Sequence, residues 1–515
     1  MKPSTELFQL IKSLSKSEKR YFKLSSSLQS GEKNYLKLFE AIESQNEYDE
    51  EAIKEQFKAE TFIKHLPSEK NHLYNLILKS LRGFYADNSA ASILQEQLRN
   101  IELLYNKALY KECSKYIAKA KTIAYNFEKY YFLLDLINWE KKLVEEGYHR
   151  GVFEADLNKL VDEETDCIEK LRNIAEYQML YSQINAVMRK GGYTRNPEEA
   201  ELVKKISNHP LISEKNTALT LKAATACFSI KAMCYIANGD YNSAFSHLQK
   251  VLKIMESNAF IMKELPKRYI KALNSITYAY LNNNDIENCL LYVDKIKALS
   301  NQPGFESIDI QLDLFSLPNN AELLAYCYSG EYKKAIEEVI PKTLEGIEKY
   351  EGKLSNESVL LLYYNISRVY FSAGEYKLAL KYNNIVLNSN EPILRQDVFA
   401  TFARLVNLII HFELGNYDLL EYTIKSTKRF VDKNQRNYQF ENVFLKNIKK
   451  VVRAKNPDDT TKLFYQFKTD LVKVMEDQYE LAASRYFDFM TWLDTKIHKK
   501  SYADLLKTKK RSLSV

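Results

Sequence analysis

The sequence predicts an all-α protein, a superhelical array of helical hairpins behind a small helical N-terminal unit. Three observations predict it. The first is a recurring phrase, Gly239-Asp240-Tyr241, Gly330-Glu331-Tyr332, Gly374-Glu375-Tyr376 and Gly415-Asn416-Tyr417, with Asn284-Asp285-Ile286 as a variant between the first two. The steps from turn to turn are 45, 46, 44 and 41 residues, and a fixed period of this size marks stacked helical repeats. The second is the scarcity of helix breakers. The 515 residues hold 13 Gly and 10 Pro, where average usage would give roughly 36 and 26, and both are costly inside helices. The third is a composition of 45% hydrophobic and 27% charged residues, which suits a packed chain rather than a disordered one. In such an array each repeat touches only its neighbours, so a long chain needs no single thick core.

Residues 1–90 read as the N-terminal unit. Ser15-Lys16-Ser17-Glu18 is a capping box that starts a helix running to about Leu24. Lys33–Ser44 and Asp49–Lys58 read as two more helices. Pro67-Ser68-Glu69 opens a fourth, to about Phe84, with Leu73, Leu76, Ile77 and Leu81 at helical spacing. The polar stretch Ala86–Ser92 is the expected boundary, and the repeat array spans 93–476. At each turn the Gly position calls for positive φ, which closes the end of the first helix of a hairpin. Asn284 also tolerates that conformation. Five residues beyond the Gly position stands a small residue, Ala244, Cys289, Ala335 or Ala379, that lets the second helix approach the first; Leu420 fits less well. Ala108, Tyr110 and Cys113 form an earlier, degenerate copy. A Tyr precedes the Gly position by four residues at Tyr235, Tyr280, Tyr326 and Tyr370, and is expected to point inward. His411 takes this place in the fifth copy. It reads as a satisfied core histidine, with a ligand contact as the alternative.

Intermediate turns are expected near Gly151, followed by Phe153, and near Gly191-Gly192, followed by Tyr193. Asn196-Pro197-Glu198-Glu199 and Asn456-Pro457-Asp458-Asp459 read as helix starts, with Asn as N-cap and Pro at the first helical position. This makes about nine hairpins. Residues 477–508 are expected to form C-terminal capping helices, one over Gln478–His498 and a short one over Ser501–Lys507. Residues 509–515 form a basic tail expected to be disordered.

The turn phrase resembles that of tetratricopeptide repeats, in which a Gly ends the first helix, an aromatic follows two residues later, and a small residue sits in the second helix. The period near 44 exceeds that family's typical 34 residues, so each helix should be about five residues longer. The resemblance implies a right-handed α-α superhelix whose concave groove is lined by the first helices. It places Lys271, Asn274, Asn320, Asn365 and Arg368 in that groove as partner-binding residues, suited to a carboxylate and to peptide backbone groups. The function so implied is a non-enzymatic, cytoplasmic scaffold for a peptide or partner protein. The alternative is a regulator similar to quorum-sensing tetratricopeptide receptors, with N-terminal helices that contact DNA or an effector protein.

No residue pattern names a reaction, so no catalytic, cofactor or metal residues are expected. There is no Gly-rich phosphate loop, and the seven histidines and six cysteines show no zinc spacing. Cys113, Cys167, Cys227, Cys234, Cys289 and Cys327 include no Cys-x-x-Cys pair and read as buried, reduced thiols. The 37 tyrosines read mainly as half-buried helix spacers. DNA binding would place Lys70, His72, Lys79 and Arg82 on one helix, but residues 1–90 carry 14 basic and 13 acidic side chains, weak for a phosphate-binding surface. The net charge is +7, and residues 496–515 alone hold seven cations against Asp504, so the body reads as nearly neutral. The longest apolar stretch, near Val359–Tyr364, is far short of a membrane span. No integral membrane segment is therefore expected.

Overall fold

The computed structural model describes residues 5–27, 34–86, 89–149, 157–189, 194, 196–389, 398–433, 438–454, 456–477, 479–480, 486–502 and 504–505. The described residues are helical and contain no strand. The chain divides into two compact units, Met1–Glu169 and Lys170–Val515.

The first unit begins with α1 (Glu6–Ser13), α2 (Lys16–Ser27), α3 (Asn34–Ser44), α4 (Glu50–Gln56) and α5 (Leu66–Phe84). The capping box starts α2 as expected. Ser15 donates its N–H to Glu18 Oε2 at 2.6 Å, and Glu18 donates its own to Ser15 Oγ at 3.3 Å. Helix α1 was not anticipated. Its Leu7 and Ile11 join Phe22, Leu38, Phe39, Ile42, Ile53, Leu73 and Ile77 in one core. Then follow α6 (Ala90–Asn106), α7 (Tyr110–Asn126) and α8 (Tyr130–His149), each packed on the next. The α7–α8 turn uses Glu128 at φ 49°. No Gly or Asn stands there to announce it. Lys121 ties α7 to Glu140 and Glu163, both at 2.6 Å.

Helix α9 (Leu157–Arg189) runs 33 residues without a break, and the division between the units falls inside it. The repeat period predicted two helices here. No Gly or Pro interrupts residues 157–189, so nothing local stops the helix. The expected turns at Gly151 and at Gly191-Gly192 lie outside the described residues, as do Phe153 and Tyr193.

The second unit continues with α10 (Pro197–Ser207), α11 (Pro210–Ser213), α12 (Leu221–Ala237), α13 (Tyr241–Glu256), α14 (Ala259–Glu264), α15 (Pro266–Asn282), α16 (Ile286–Ala298) and α17 (Ile308–Ser329). Next come α18 (Tyr332–Lys334), a π-helical turn (Ala335–Val339), α19 (Ile340–Lys349), α20 (Asn356–Ser372) and α21 (Tyr376–Leu387). The chain closes with α22 (Val398–Glu413), α23 (Tyr417–Lys433), α24 (Gln439–Val452), α25 (Pro457–Val474) and α26 (Phe489–His498). Sequential helices pack as pairs: α12 on α13, α15 on α16, α20 on α21, α22 on α23 and α24 on α25.

The turns between paired helices have the expected geometry. Ala108, Gly239, Asn284, Gly330, Gly374 and Gly415 all have positive φ, from 58° to 84°. Five of the six close in the same way. The N–H after the left-handed residue reaches back five residues, as in Asp240 to Tyr235 O at 2.9 Å, Glu375 to Tyr370 O at 2.9 Å and Asn416 to His411 O at 3.0 Å. This satisfies carbonyls that a helix end leaves open. Gly330 differs, donating to Tyr326 O at 3.1 Å. The small positions Cys113, Ala244, Cys289, Ala335, Ala379 and Leu420 are all buried. All six cysteines are free and buried, and burial pushes the thiols of Cys289 and Cys327 up to about 12 and about 11.

Three local expectations need correction. Tyr235 is exposed, whereas Tyr326 and Tyr370 are buried; instead its ring stacks on His247 at 5.5 Å. A single helix over Gln478–His498 does not form. Helix α26 starts at Phe489, where the Asp488 carboxylate accepts the Thr491 N–H at 2.9 Å, and within the expected helix over Ser501–Lys507 the described Tyr502, Asp504 and Leu505 are helical. Asn196 caps α10 through Glu199 N at 2.8 Å, but Asn456 makes no side-chain cap bond.

Candidate interaction face

Helices α15, α17 and α20 pack against one another in sequence, and they carry the five expected groove residues. Lys271, on α15, is exposed. Asn274 is half-buried, and its Oδ1 has no hydrogen-bond partner. The other three are buried. Asn320, on α17, donates to Ser316 O at 2.9 Å and accepts from Asn365 Nδ2, on α20, at 2.8 Å. One turn beyond Asn365, Arg368 donates to Tyr328 OH at 3.4 Å and lies over the Tyr328 ring, 5.8 Å from its centroid. Asn320 and Asn365 therefore join neighbouring hairpins instead of presenting free amides.

Arg368 forms no ion pair among the described residues, although it is only 6% exposed. Burial opposes its charge, and the phenols of Tyr328 and Tyr364 with the Cys327 thiol favour it. The balance holds the guanidinium pKa above its ordinary value. It is a fixed buried cation.

What covers this face is the chain's own C-terminal stretch. Tyr364 donates its hydroxyl to Tyr486 O at 2.9 Å. Phe371 meets Phe487 at 5.1 Å and Tyr502 at 6.1 Å, edge to face. Tyr486 stacks on Phe402 of α22 at 4.5 Å. Tyr364, Arg368 and Phe371 stand at helical spacing on one side of α20, which explains the burial of Arg368. Glu413, at the end of α22, accepts from Trp492 Nε1 at 2.7 Å and pairs with Lys496 at 2.5 Å. Sequence reading missed this seat. Its one signal was the aromatic run Phe487, Phe489 and Trp492, all buried here.

His411 is buried and bonded to Asn416 Nδ2 through Nδ1 at 3.1 Å. Burial lowers its pKa. It is a satisfied core histidine. In the first unit, Lys70 does not share a face with Lys79 and Arg82. It pairs with Glu50 at 2.5 Å and donates to Tyr48 OH at 3.2 Å, while His72, Lys79 and Arg82 are exposed elsewhere around α5. Among the described residues no three His, Cys, Asp or Glu side chains converge as metal ligands. No described helix is long and apolar enough to cross a membrane. The basic tail, 509–515, lies outside the described residues. A scan of known protein families finds no match, and no curated protein is detectably similar.

Proposed function

We propose that this chain is a non-enzymatic, cytoplasmic interaction scaffold. It is a tetratricopeptide-like superhelix that binds a peptide or partner protein along the concave face of its first helices, with residues 1–90 as a helical cap. The observation that carries this reading is the seat of residues 486–502 on α20 and α22. There the first-helix face holds a C-terminal segment, most of it the helix α26, through aromatic anchors and a tyrosine-to-carbonyl bond. A surface that takes its own chain in this way has the chemistry to take another. On α15, Lys271 is an exposed cation of this face, and beside it the Asn274 Oδ1 is buried without a hydrogen-bond partner.

The test is peptide display against the full chain, followed by titration of the selected peptides. Binding should weaken roughly tenfold or more in Lys271→Glu, as for loss of a charge-assisted contact. Selected peptides that bind Lys271→Glu and Asn274→Leu as tightly as the parent would refute the assignment of the face.

A further inference from the structure

The near-neutral charge of the body conceals a local excess. Residues 425–455 hold ten Lys and Arg against only Asp432 and Glu441. The fold gathers most of that charge into one groove between α23 and α24. Lys425, Lys428 and Arg429 line it from α23. Lys446, Lys449, Lys450 and Arg453 line it from α24 and its C-terminal turn. The groove has a volume of about 570 Å³, within the range of small-molecule sites, roughly 300–1,000 Å³. All seven cations are exposed.

Spacing explains the convergence. On α24 the cations stand at i, i+3, i+4 and i+7, a single stripe about 10 Å long. On α23 they stand at i, i+3 and i+4. Phe440, Phe444 and Ile448 bury the opposite side of α24 in the core, so the basic stripe must face outward. Beneath the cations, the buried Ile424 and Leu445 form the floor.

Internal neutralisation is partial: Glu421 acts on Arg453, Lys425 and Lys449, and Asp470 acts on Lys446 and Lys450. Lys428 pairs with Asp432 at 2.6 Å and Arg453 with Glu421 at 2.8 Å. The other five cations form no ion pair among the described residues. Like charges one helical turn apart repel, so the groove carries an electrostatic penalty that an anion would relieve. Lysine dominates, and its ammonium is a compact point charge suited to phosphate oxygens, while the guanidinium forks of Arg429 and Arg453 match phosphate bidentately. No aromatic side chain lines the groove, so there is no stacking platform of the kind that single-stranded nucleic acid uses.

We infer that the α23–α24 groove is a binding site for a compact ligand carrying several linked phosphates. This site is independent of the interaction face above, because none of its residues contributes to the seat of the C-terminal stretch.

The test is calorimetric titration of the full chain with inorganic tripolyphosphate. Saturable binding is expected, weakening as salt rises from about 0.05 to 0.3 M. Lys449→Gln combined with Lys450→Gln should weaken it roughly tenfold or more. Lys507→Gln, Lys509→Gln and Lys510→Gln, near the C-terminus, should leave it unchanged. Lys449 and Lys450 are exposed, so their substitution removes charge without touching the core, and circular dichroism verifies the fold of all variants. Tighter binding of a nucleoside triphosphate than of tripolyphosphate would uphold the site and assign the phosphates to a nucleotide. Four results would overturn the inference: no binding of tripolyphosphate, binding insensitive to the groove variants, equal affinity for citrate or single orthophosphate, or tripolyphosphate displaced by much tighter-binding duplex DNA.

Discussion

Gly346 offers a sharp test of how this fold is packed. It lies buried in the middle of α19, where alanine would ordinarily be the better residue. In isolation, Gly346→Ala should stabilise a helix by about 1 kcal/mol. The surroundings reverse the sign. A Cβ at this position would stand 2.1 Å from Cε2 and 2.4 Å from Cζ of Phe315 on α17, far inside contact distance. The ring rests against the bare backbone of α19 and packs on Tyr350, with ring centroids 5.4 Å apart. Forcing it aside is an overpacking defect of about 1–3 kcal/mol. The expected net result is a loss of up to about 2 kcal/mol. Phe315→Ala removes the obstacle, and in that background Gly346→Ala should gain up to about 1 kcal/mol. The measurement is urea unfolding of the four proteins of this cycle, followed by far-ultraviolet circular dichroism and by tryptophan fluorescence. Two probes are needed because a chain of two compact units need not unfold in one step. A Gly346→Ala protein more stable than the parent would refute the reasoning, as would an equal change with and without Phe315.

Two further predictions follow from the same structure. Burial lowers the pKa of His411, so the unfolded chain binds its proton more tightly than the folded one. The stability due to neutral His411 is complete above the unfolded value of about 6.5 and is lost as pH falls through the lower folded value. Urea midpoints at pH 7.5 and 5.5 should therefore converge in His411→Asn; an unchanged pH dependence would discount this group. Glu413→Ala leaves Trp492 Nε1 and Lys496 without their acceptor, at a cost of about 2–3 kcal/mol for a hydrogen bond to a charged group. Proteolysis should then begin within residues 486–502 before the remainder of the unit, and cleavage at unaltered rate and place would count against the seat.

Several features were legible in the sequence because the residues concerned decide them locally. A left-handed backbone at 239, 330, 374 and 415 is favourable only for Gly, and Asn284 is the usual substitute. The capping box at Ser15 and Glu18 needs nothing beyond its own four residues. By contrast, the Glu128 turn carries no such marker, and neither does the uninterrupted length of α9. The basic groove was hidden by averaging. Charge summed over the body is small, yet Lys446, Lys449, Lys450 and Arg453 recur at one-turn spacing, and that signal was available before the fold.

The sequence by itself determined an all-helical chain, the positions of six left-handed turns and the burial of the small residues beside them. These follow from backbone strain and helical periodicity over a few residues. Only the tertiary structure decided what becomes of the polar residues on the first helices. Arg368 is covered because Tyr486 and Phe487, more than a hundred residues later, pack on Tyr364 and Phe371. Asn365 spends its amide N–H on the Asn320 carbonyl across a 45-residue separation, and Asn320 spends its own on Ser316 O. Lys70 is neutralised by Glu50 from another helix. Whether a polar side chain faces solvent or a partner depends on which distant segment arrives beside it, and no local pattern encodes that arrival.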